Sequence, residues 1–552
     1  MHNHAPARSD DLRDPIARIQ AGLGGDIVIP GPFGPRPLAY ADYTASGRPL
    51  DFIEAAIASQ VLPFYANTHT ETSFTGRQTT RYREQARAAI RQAVGAGDGH
   101  AVIFAGSGAT AAINRLATAL NQRGAGSALG DAVVFIGPYE HHSNELVWRE
   151  RAGHVIRIPV DDDGVLCFDE LERQLAAQPP SGLRIGSFSA ASNVTGVRTD
   201  MRRLARILHR HGAWFFADYA AAGPYVRIDV SDSAPGAGDG IDAIFLSPHK
   251  FVGGPAASGV LVADKRLLTN EVPTVPGGGT VEYVTAGMHR YVANVERREE
   301  AGTPSVVGDI RAGLAFALKS EVGEERIEAI EHALVRQAFD RLTANPSIEV
   351  LGPRDAERLP IFSFNVLSEG RYLHPNFVVA LMNDLFGIQM RGGCSCAGPY
   401  GHDLLNIPDE RALSYADLVA RGFGVYRPGW IRFSLTYFMP AEFIDYVLSS
   451  VDFVARRAVD LLPLYRCLPS GRWECAAPDH VVTPAGFDDL CGAFRTEAVQ
   501  PRQPSTPFDA AHWLRRAEEI ADGARALNSA EPDLPDLPWF VTGRERAERV
   551  AG

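Results

Sequence analysis

Residues 246–254 read LSPHKFVGG and place a histidine and a lysine beside a glycine-rich turn. The apolar run 241–246 precedes them and predicts a buried strand that ends at Ser247, His249 and Lys250. A lysine in apolar surroundings is costly to keep charged, so its pKa falls easily. Two interpretations follow from these residues: a salt-bridged structural lysine, or an amine that forms a Schiff base with a carbonyl group.

A second candidate is the Gly-Ser-Gly-Ala-Thr turn at 106–110, between an apolar run and a helical pattern. Small residues let backbone N–H groups and hydroxyls approach an anion, and a helix N-terminus favours negative charge. The turn predicts a phosphate cradle, with a plain tight connection as the alternative. Because no Gly-Lys-Ser/Thr follows, it is not a Walker loop.

Two further motifs carry titratable side chains. Asp218 ends the apolar run in FFADYAAAG, where a carboxylate caps a helix, pairs with a cation or keeps a cationic nitrogen protonated. His141 and His142 are adjacent in YEHHSNE. Neighbouring side chains of an extended segment point in opposite directions, so we expect no shared metal ion. An imidazole that stacks on a ring is an open alternative.

The elements around these motifs alternate between helix-like and strand-like segments from about residue 50 to 320. Their apolar runs are continuous rather than alternating, which predicts strands covered on both faces. We expect a mainly parallel α/β sheet with ligand groups on its strand-end loops. The segments that predict strands lie within 100–120, 131–144, 153–161, 183–196, 212–224 and 241–250.

From about residue 321 the pattern changes to a long charged helix followed by strand-like and helical segments, which predicts a smaller α+β domain. After residue 456 the chain becomes partly irregular, with a short helical stretch near 509–527. The predicted division is an N-terminal arm at 1–50 that joins the small domain, a large domain at 51–320, a small domain at 321–455, and an appended extension of unknown role at 456–552.

Composition bounds the class of protein. The 552 residues are 45% hydrophobic and 22% charged, as in soluble globular proteins. A formal net charge of −12 argues against nucleic acid or anionic membrane as a partner. We find neither a spanning run of about 20 apolar residues nor the apolar core of a signal peptide. Six cysteines in a chain of this length predict reduced thiols and a cytoplasmic location.

Taken together, the motifs resemble the class V aminotransferase fold of pyridoxal phosphate (PLP) enzymes, especially the cysteine desulfurase and selenocysteine lyase branch. The shared order is a small-residue turn, a Glu-His-His-Ser-Asn run, a Ser-Asn-Val-Thr-Gly turn, a strand-end Asp and Ser-x-His-Lys. The resemblance covers roughly residues 40–450, including 276–284, 297–310 and 391–399. It implies a type I PLP-dependent transferase fold, with helices on both faces of a mainly parallel seven-stranded sheet.

The resemblance also implies roles for individual residues. Lys250 would hold PLP covalently, and Asp218 would pair with its pyridine nitrogen and keep the ring an electron sink. His141 would stack on the ring face, and Asn193 would reach the phenolic oxygen. Thr110, Ser247 and His249 would bind the cofactor phosphate, and Ala109 would also contact the cofactor. In a homodimer, Thr303 would reach the phosphate of the other subunit's cofactor. Arg432 would bind the substrate carboxylate.

The sequence departs from this branch at two places. Ala221 stands where the family usually has a glutamine, so one hydrogen bond to the phenolic oxygen is lost or supplied elsewhere. The loop RGGCSCAGP has Cys396 at the position of the reactive cysteine, and Cys394 and Ser395 replace two histidines. The loop also resembles, more loosely, a cysteine-containing segment of molybdenum cofactor sulfurases. A pair of buried thiols is the alternative, and the spacing is poor for zinc, so we expect no metal.

Three functions are compatible with these residues. The first is a PLP-dependent desulfurase that takes sulfur or selenium from L-cysteine or selenocysteine through a Cys396 persulfide and leaves alanine, with a possible sulfur-acceptor protein as partner. The second keeps PLP but catalyses transamination or another lyase reaction on a small amino acid, which the same fold supports. The third is a scaffold without catalysis, against which the set Lys250, Asp218 and His141 argues.

Overall fold

The computed structural model describes most of the chain. No helix in these parts is long and apolar enough to cross a membrane. Of the predicted arm and extension, residues 1–12 and several stretches after 476 lie outside the described residues. The described ranges are 13–24, 27–68, 70–122, 129–179, 182–368, 370–476, 478–480, 483–491, 508–525, 527, 534–535 and 539–541.

The strands vary in length from two to eight residues. In chain order they are β1 (Val28–Ile29), β2 (Arg36–Pro37), β3 (Ala39–Tyr40), β4 (His100–Gly106), β5 (Val133–Ile136), β6 (His154–Arg157), β7 (Arg184–Ser189), β8 (Trp214–Asp218), β9 (Ala243–Leu246), β10 (Gly259–Asp264), β11 (Val281–Val284), β12 (His289–Tyr291), β13 (Ile348–Val350), β14 (Ile361–Ser368), β15 (Arg371–Tyr372), β16 (Ile388–Gln389), β17 (Arg391–Gly393), β18 (Trp430–Ser434), β19 (Tyr465–Cys467) and β20 (Trp473–Cys475).

The α-helices connect and cover these strands. They are α1 (Pro15–Gly22), α2 (Asp51–Ala56), α3 (Phe74–Ala93), α4 (Gly108–Asn121), α5 (Leu146–Arg151), α6 (Phe168–Ala176), α7 (Met201–Arg210), α8 (Val295–Glu299), α9 (Val306–Val322), α10 (Glu324–Thr343), α11 (Pro375–Phe386), α12 (Gly398–Leu404), α13 (Asp409–Ala420), α14 (Ala441–Leu461), α15 (Phe487–Cys491) and α16 (Ala510–Ala524).

A seven-stranded sheet forms the centre of the larger part of the chain. Its strand order is β4-β10-β9-β8-β7-β5-β6. The strands β6, β5, β7, β8 and β9 run parallel, whereas β10 is antiparallel to both of its neighbours. Because parallel strands present their carboxyl ends at one edge, the polar residues that follow them meet there.

Both faces of this sheet are covered, as the continuous apolar runs predicted. In β9, Ile244 and Leu246 belong to one apolar cluster and Ala243 and Phe245 to the other. Helices α3, α7 and α9 contribute to the first cluster, and α4 and α5 to the second. Burial on both faces removes water from the strand ends, where the candidate site lies.

A second, antiparallel sheet follows in the order β13-β14-β18-β17, with β15 paired to the end of β14. Helices α10, α11 and α14 pack on this sheet or on one another. The N-terminal segment reaches this part of the chain, because β3 pairs in parallel with β16. Strand β17 leads directly into the loop that carries Cys394 and Cys396.

Parts of the region after residue 456 pack on α11 and α14, the helices that lie on this second sheet. The hairpin β19–β20 lies beside α11, and α16 packs on α11 and α14. Trp473, Trp539 and Phe540 surround the buried ring of His374. Phe540 also forms a parallel bridge with Tyr372 beyond the end of β14. The extension therefore adds its own aromatic contacts to the small sheet.

Strand β4 is an edge of the seven-stranded sheet, and side chains satisfy its outer backbone groups. Val102 N–H donates to Glu296 Oε1 at 2.8 Å, and Phe104 N–H donates to Glu300 Oε1 at 2.7 Å. An unpaired edge invites pairing with another chain, and capping by carboxylates prevents it. Because β4 leads into the turn at 106–110, the hydrogen bonds that hold this strand also determine the position of the turn.

Glu300 belongs to a buried group of charges that joins this edge to α3 and α9. Arg87 Nη1 lies 2.8 Å from Glu300 Oε1, Arg83 forms a second ion pair with Glu300, and Arg83 Nε lies 2.6 Å from Asp309 Oδ2. All four side chains are less than a tenth exposed. Removing one partner from a buried ion pair leaves an uncompensated charge in the interior.

We therefore expect Glu300→Gln to lower the free energy of unfolding by about 3 kcal/mol. Equilibrium denaturation of the purified variant measures this change. Asp340→Asn is the matched control, because Asp340 pairs with Arg354 at the surface, where ion pairs contribute little. Equal stability of the two variants would contradict the structural role of Glu300.

Candidate active site

A cavity of about 240 Å³ lies where the carboxyl ends of the parallel strands meet the second sheet. Residues from β4, β5, β7, β8, β9, β17 and β18, or from the loops that follow them, line it. All but one of the residues predicted for the site are among its lining residues. These are Ala109, Thr110, His141, Asn193, Asp218, Ser247, His249, Lys250, Cys396 and Arg432.

Lys250 follows β9 in a short 3-10 turn, Pro248–Lys250, that closes with a hydrogen bond from Lys250 N–H to Ser247 O at 2.9 Å. Burial of its amine lowers the pKa of Lys250 to about 8, and the charge of Asp218 opposes this shift. A lysine with a lowered pKa holds a larger neutral fraction near pH 7 and is a better nucleophile.

Asp218 ends β8 and is almost completely buried. Its Oδ1 accepts a hydrogen bond from Ala220 N–H at 2.8 Å. Burial raises the pKa of Asp218, while this hydrogen bond and the charge of Lys250 act in the opposite direction. A cationic nitrogen placed beside the carboxylate would stabilise its ionised form further.

His141 lies after β5, and its Nδ1 accepts a hydrogen bond from Ser143 N–H at 3.1 Å. The proton of the neutral ring is therefore on Nε2. Burial and then the nearby charge of Lys250 lower the pKa of His141 to about 3. The ring is consequently neutral at physiological pH, which suits stacking on a flat ligand.

The predicted phosphate turn packs directly on the segment before Lys250. Ala109 N–H donates to Ser247 Oγ at 2.9 Å. A Cβ atom at Gly108 would lie 2.8 Å from His249 Cε1 and 3.0 Å from Ser247 Oγ. Gly108 also has φ of +60°, so a side chain is excluded on both grounds. The structure thus brings these two motifs, separated in sequence, to one place.

Asn193 and Arg432 contribute buried polar atoms to the cavity. Asn193 Nδ2 donates to Ser395 O at 2.8 Å, and Arg432 Nη1 donates to Asn193 O at 2.9 Å. Asn193 Oδ1 and Arg432 Nε are buried without a hydrogen-bond partner in the described part of the chain. Buried polar atoms of this kind are costly unless a ligand or water pairs with them.

The cysteine loop is held by its backbone carbonyl groups. Cys396 O accepts a hydrogen bond from His142 N–H at 2.9 Å, and Gly398 N–H donates to His142 Nε2 at 3.1 Å. Ser395 O accepts the hydrogen bond from Asn193 Nδ2. The loop is therefore attached to residues that follow β5 and β7, on the opposite side of the cavity.

The two thiols of this loop have different surroundings. Cys396 is exposed and lines the cavity, whereas Cys394 is partly buried against an apolar cluster that contains Trp430. Ser395 and Cys396 have φ of 51° and 57°, a left-handed conformation that non-glycine residues adopt at a cost of about 1–2 kcal/mol. This conformation separates the directions of the two side chains.

Sequence reasoning did not identify Asp42, which also belongs to this region. Its Oδ1 accepts from Arg432 Nη2 at 2.9 Å, and its Oδ2 accepts from Arg391 Nε at 3.1 Å. Both arginines line the cavity. Glu140 was likewise missed: it accepts from Ser189 N–H at 2.8 Å and supports the end of β7.

Thr303 and Ala221 contribute no side-chain hydrogen bond to the cavity. Thr303 lies outside the cavity, is exposed, and its Oγ1 accepts a hydrogen bond from Asn67 Nδ2 at 3.4 Å. Its predicted contact with another subunit's cofactor stays a prediction. Ala221, which replaces the family glutamine, lines the cavity and offers no side-chain hydrogen bond.

Comparison with known proteins identifies the protein family to which the chain belongs. The family model for aminotransferase class V matches residues 39–447. The chain therefore belongs to this family of PLP-dependent enzymes, and the predicted family and cofactor are confirmed.

Individual relatives indicate which branch of this family the chain resembles. The chain is 31% identical to a probable cysteine desulfurase of Halalkalibacterium halodurans over 66% of its own length and 85% of that protein. It is 30% identical to a cysteine desulfurase of Klebsiella pneumoniae, with the same coverage of both chains.

Solved structures agree on the fold. The cysteine desulfurase of Thermococcus onnurineus NA1 in its apo form superimposes with a TM-score of 0.63 at 24% identity, covering 76% of this chain and 95% of that one. The Escherichia coli cysteine desulfurase CsdA gives 0.60 at 22% identity, with 76% and 94% coverage. The predicted α/β type I fold is confirmed.

The cavity fits the cofactor that this family uses. The amine of Lys250, the buried carboxylate of Asp218 and the neutral imidazole of His141 line the same space, and a small-residue turn at the start of α4 adjoins them. The chain contains only three lysines, Lys250, Lys265 and Lys319. Lys319 Nζ donates a hydrogen bond to Val226 O and lies 3.1 Å from Glu324 Oε1. Lys265 Nζ donates to Asp98 O. Lys250 is therefore the lysine available to a carbonyl group in the cavity.

We expect Lys250 of the cofactor-free protein to react with acetic anhydride with a pH midpoint near 8, because its lowered pKa leaves about a tenth of the amine neutral at pH 7. Peptide mass spectrometry at a series of pH values measures this. Lys265 in the same samples serves as an exposed reference. A Lys250 midpoint at the ordinary lysine value of about 10.4 would contradict the lowered pKa.

Proposed function

We propose that the protein is a PLP-dependent cysteine desulfurase, which removes sulfur from L-cysteine, or selenium from selenocysteine, and leaves alanine. The observation that carries this proposal is the exposed Cys396 thiol in the same cavity as Lys250 and Asp218. Transamination needs the lysine and the aspartate but makes no use of a thiol at this position. The relatives named as cysteine desulfurases support the same reaction.

Three residues would hold the cofactor ring. Lys250 would bind its carbonyl carbon through the neutral amine, which the lowered pKa favours. Asp218 would keep the pyridine nitrogen protonated, and the new cation would in turn hold the carboxylate ionised. His141, neutral and fixed by Ser143, would lie on the ring face.

The cofactor phosphate would lie at the start of α4. The N-terminus of this helix favours negative charge, and Ala109 N–H fixes the Ser247 hydroxyl beside it by a hydrogen bond to Ser247 Oγ. Ser247 and His249, in the turn before Lys250, and Thr110, in the first turn of α4, would supply side chains to the phosphate. Ala109 lies beside Thr110 in the same turn of α4. Asn193 would approach the phenolic oxygen of the cofactor. Ala221 has no side-chain donor that could form a second hydrogen bond to this oxygen.

Arg432 would bind the substrate carboxylate. It is almost completely buried, and its Nε lacks a partner in the described part of the chain. A guanidinium group binds a carboxylate through two parallel hydrogen bonds, which fixes the orientation of the substrate as well as its charge.

Cys396 would accept the sulfur. Bound PLP supplies an electron sink that makes the substrate's C–S bond open to cleavage. The Cys396 thiolate attacks the substrate sulfur, an S–S bond forms, and the C–S bond breaks with its electron pair on carbon. That carbon takes a proton and becomes the methyl group of alanine. The products are alanine and a Cys396 persulfide, so no external oxidant or reductant is consumed in this step.

A thiol acceptor must then remove the sulfur from Cys396. The exposure of Cys396 supports delivery to a sulfur-acceptor protein, because a partner can reach a persulfide at this position. Cys396 must be a free thiol before each turnover, and reducing surroundings keep it so, which agrees with the cytoplasmic location that composition predicts.

We further infer that the protein is a homodimer. Large apolar side chains are exposed on two segments that lie near each other: Leu62, Phe64, Tyr65 and Phe74 on one, and Val272, Val275, Tyr283, Val284 and Met288 on the other. Hydrogen bonds from Asn67 to Thr303 and from Gly302 to Gly278 connect them. Exposed apolar surface of this kind is typical of protein interfaces, and Thr303 lies within it.

Incubation with L-cysteine tests the function. We expect the wild-type protein to release alanine and, with a thiol reductant, sulfide. Cys396→Ser should lose at least about 99% of this activity because a hydroxyl cannot form a persulfide, and it should keep the cofactor absorbance. Cys394→Ser is the matched control and should retain most activity. If both variants desulfurate at the wild-type rate, Cys396 is not the nucleophile.

Sedimentation velocity tests the dimer. We expect Tyr283→Asp to shift the protein toward monomer, because a charge placed in an apolar interface must be desolvated. Leu413→Asp, on the exposed face of α13, is the matched control and should leave the sedimentation coefficient unchanged. A wild-type protein that is monomeric and fully active would overturn the composite site.

A further inference from the structure

Two arginines face each other across the pair β17–β18 beside the cavity. Arg391 and Arg432 are direct register partners in this antiparallel pair. Side chains at such positions lie on one face about 5 Å apart at Cβ, and like charges there repel. The pair would therefore carry two positive charges close to the position proposed for the substrate carboxylate.

Asp42 bridges both guanidinium groups. One carboxylate oxygen accepts from Arg432 at 2.9 Å and the other from Arg391 at 3.1 Å. The side chain of Asp42 is only 14% exposed, and that of Arg432 is 3% exposed. Water therefore screens the charges of Asp42 and Arg432 weakly, whereas the side chain of Arg391 is 44% exposed. The two arginines and the aspartate together carry one net positive charge.

The backbone holds Asp42 firmly in this position. Ala41 N–H donates to Gln389 O at 3.0 Å, and Ser434 N–H donates to Ala41 O at 2.8 Å, so the segment is bound on both sides. The Asp42 carbonyl in turn accepts from Ala45 N–H at 3.0 Å. Asp42 is thus a fixed part of the site and not a side chain that must leave when a carboxylate enters.

We propose that Asp42 determines substrate specificity by its charge. It leaves the group of Arg391, Arg432 and Asp42 with one net positive charge, which matches an amino acid that brings one carboxylate to these arginines. A second anionic group on the amino acid would be repelled by the charge of Asp42, which lies directly behind the two arginines. This inference rests on the proposed role of Arg432.

Binding to the holoenzyme tests the proposal without depending on desulfurase activity. Calorimetric titration compares L-alanine, with one carboxylate, and L-aspartate, with two. We expect wild type to prefer L-alanine, and Asp42→Asn to reduce this preference by about tenfold, chiefly by tighter binding of L-aspartate. Asp42→Glu keeps the charge and should retain most of the preference. Asp417→Asn, at an exposed position on α13, is the control for loss of a surface charge.

Two results would overturn the proposal. One is an unchanged ratio of the two affinities in Asp42→Asn, with a melting temperature equal to that of wild type. The other is equal tightening of both ligands, which would mean that Asp42 competes with the substrate carboxylate. Absence of sulfide production from L-cysteine would instead contradict the proposed reaction and leave the affinity ratio as a separate result.

Discussion

The active site depends on keeping an amine and a carboxylate away from water at one edge of a sheet. Lys250 follows β9, and Asp218 ends the neighbouring strand β8, where it is paired in register with Phe245. Burial moves both pKa values toward the neutral forms, downward for the lysine and upward for the aspartate. Helices on both faces of the sheet maintain this burial, and the turn before α4 closes it from the side. The chemistry is thus a property of the whole layered sheet.

The residues that the sequence predicted share one physical feature. Each of Asp218, His141 and Lys250 follows an apolar run that forms a parallel strand, so a local pattern was enough to place it at the carboxyl edge. Strand β10 was not among the predicted strands. Its place between β4 and β9 is decided by antiparallel pairing with segments far away in the chain, which no local pattern reports.

Asp42 could not be found by the same reasoning. It follows a strand of two residues, β3, and its partner Arg432 is 390 positions away. Its position depends on the pairing of β3 with β16 and on the hydrogen bond between Ala41 and Ser434. The aromatic contacts of Trp539 and Phe540 with His374 could not be predicted for the same reason, because they join residues that lie far apart in the chain.

The Cys-x-Cys loop shows how backbone conformation decides between two equivalent residue types. The sequence offers two thiols separated by one residue, and an extended loop would direct both toward the same side. Left-handed φ values at Ser395 and Cys396 break this equivalence. Cys394 then packs in the apolar cluster with Trp430, and Cys396 faces the cavity. Hydrogen bonds from His142 and Asn193 to the loop carbonyls maintain this conformation. The small sheet supplies the loop, and the residues after β5 and β7 fix its direction, so the position of the Cys396 thiol is set jointly by both sheets.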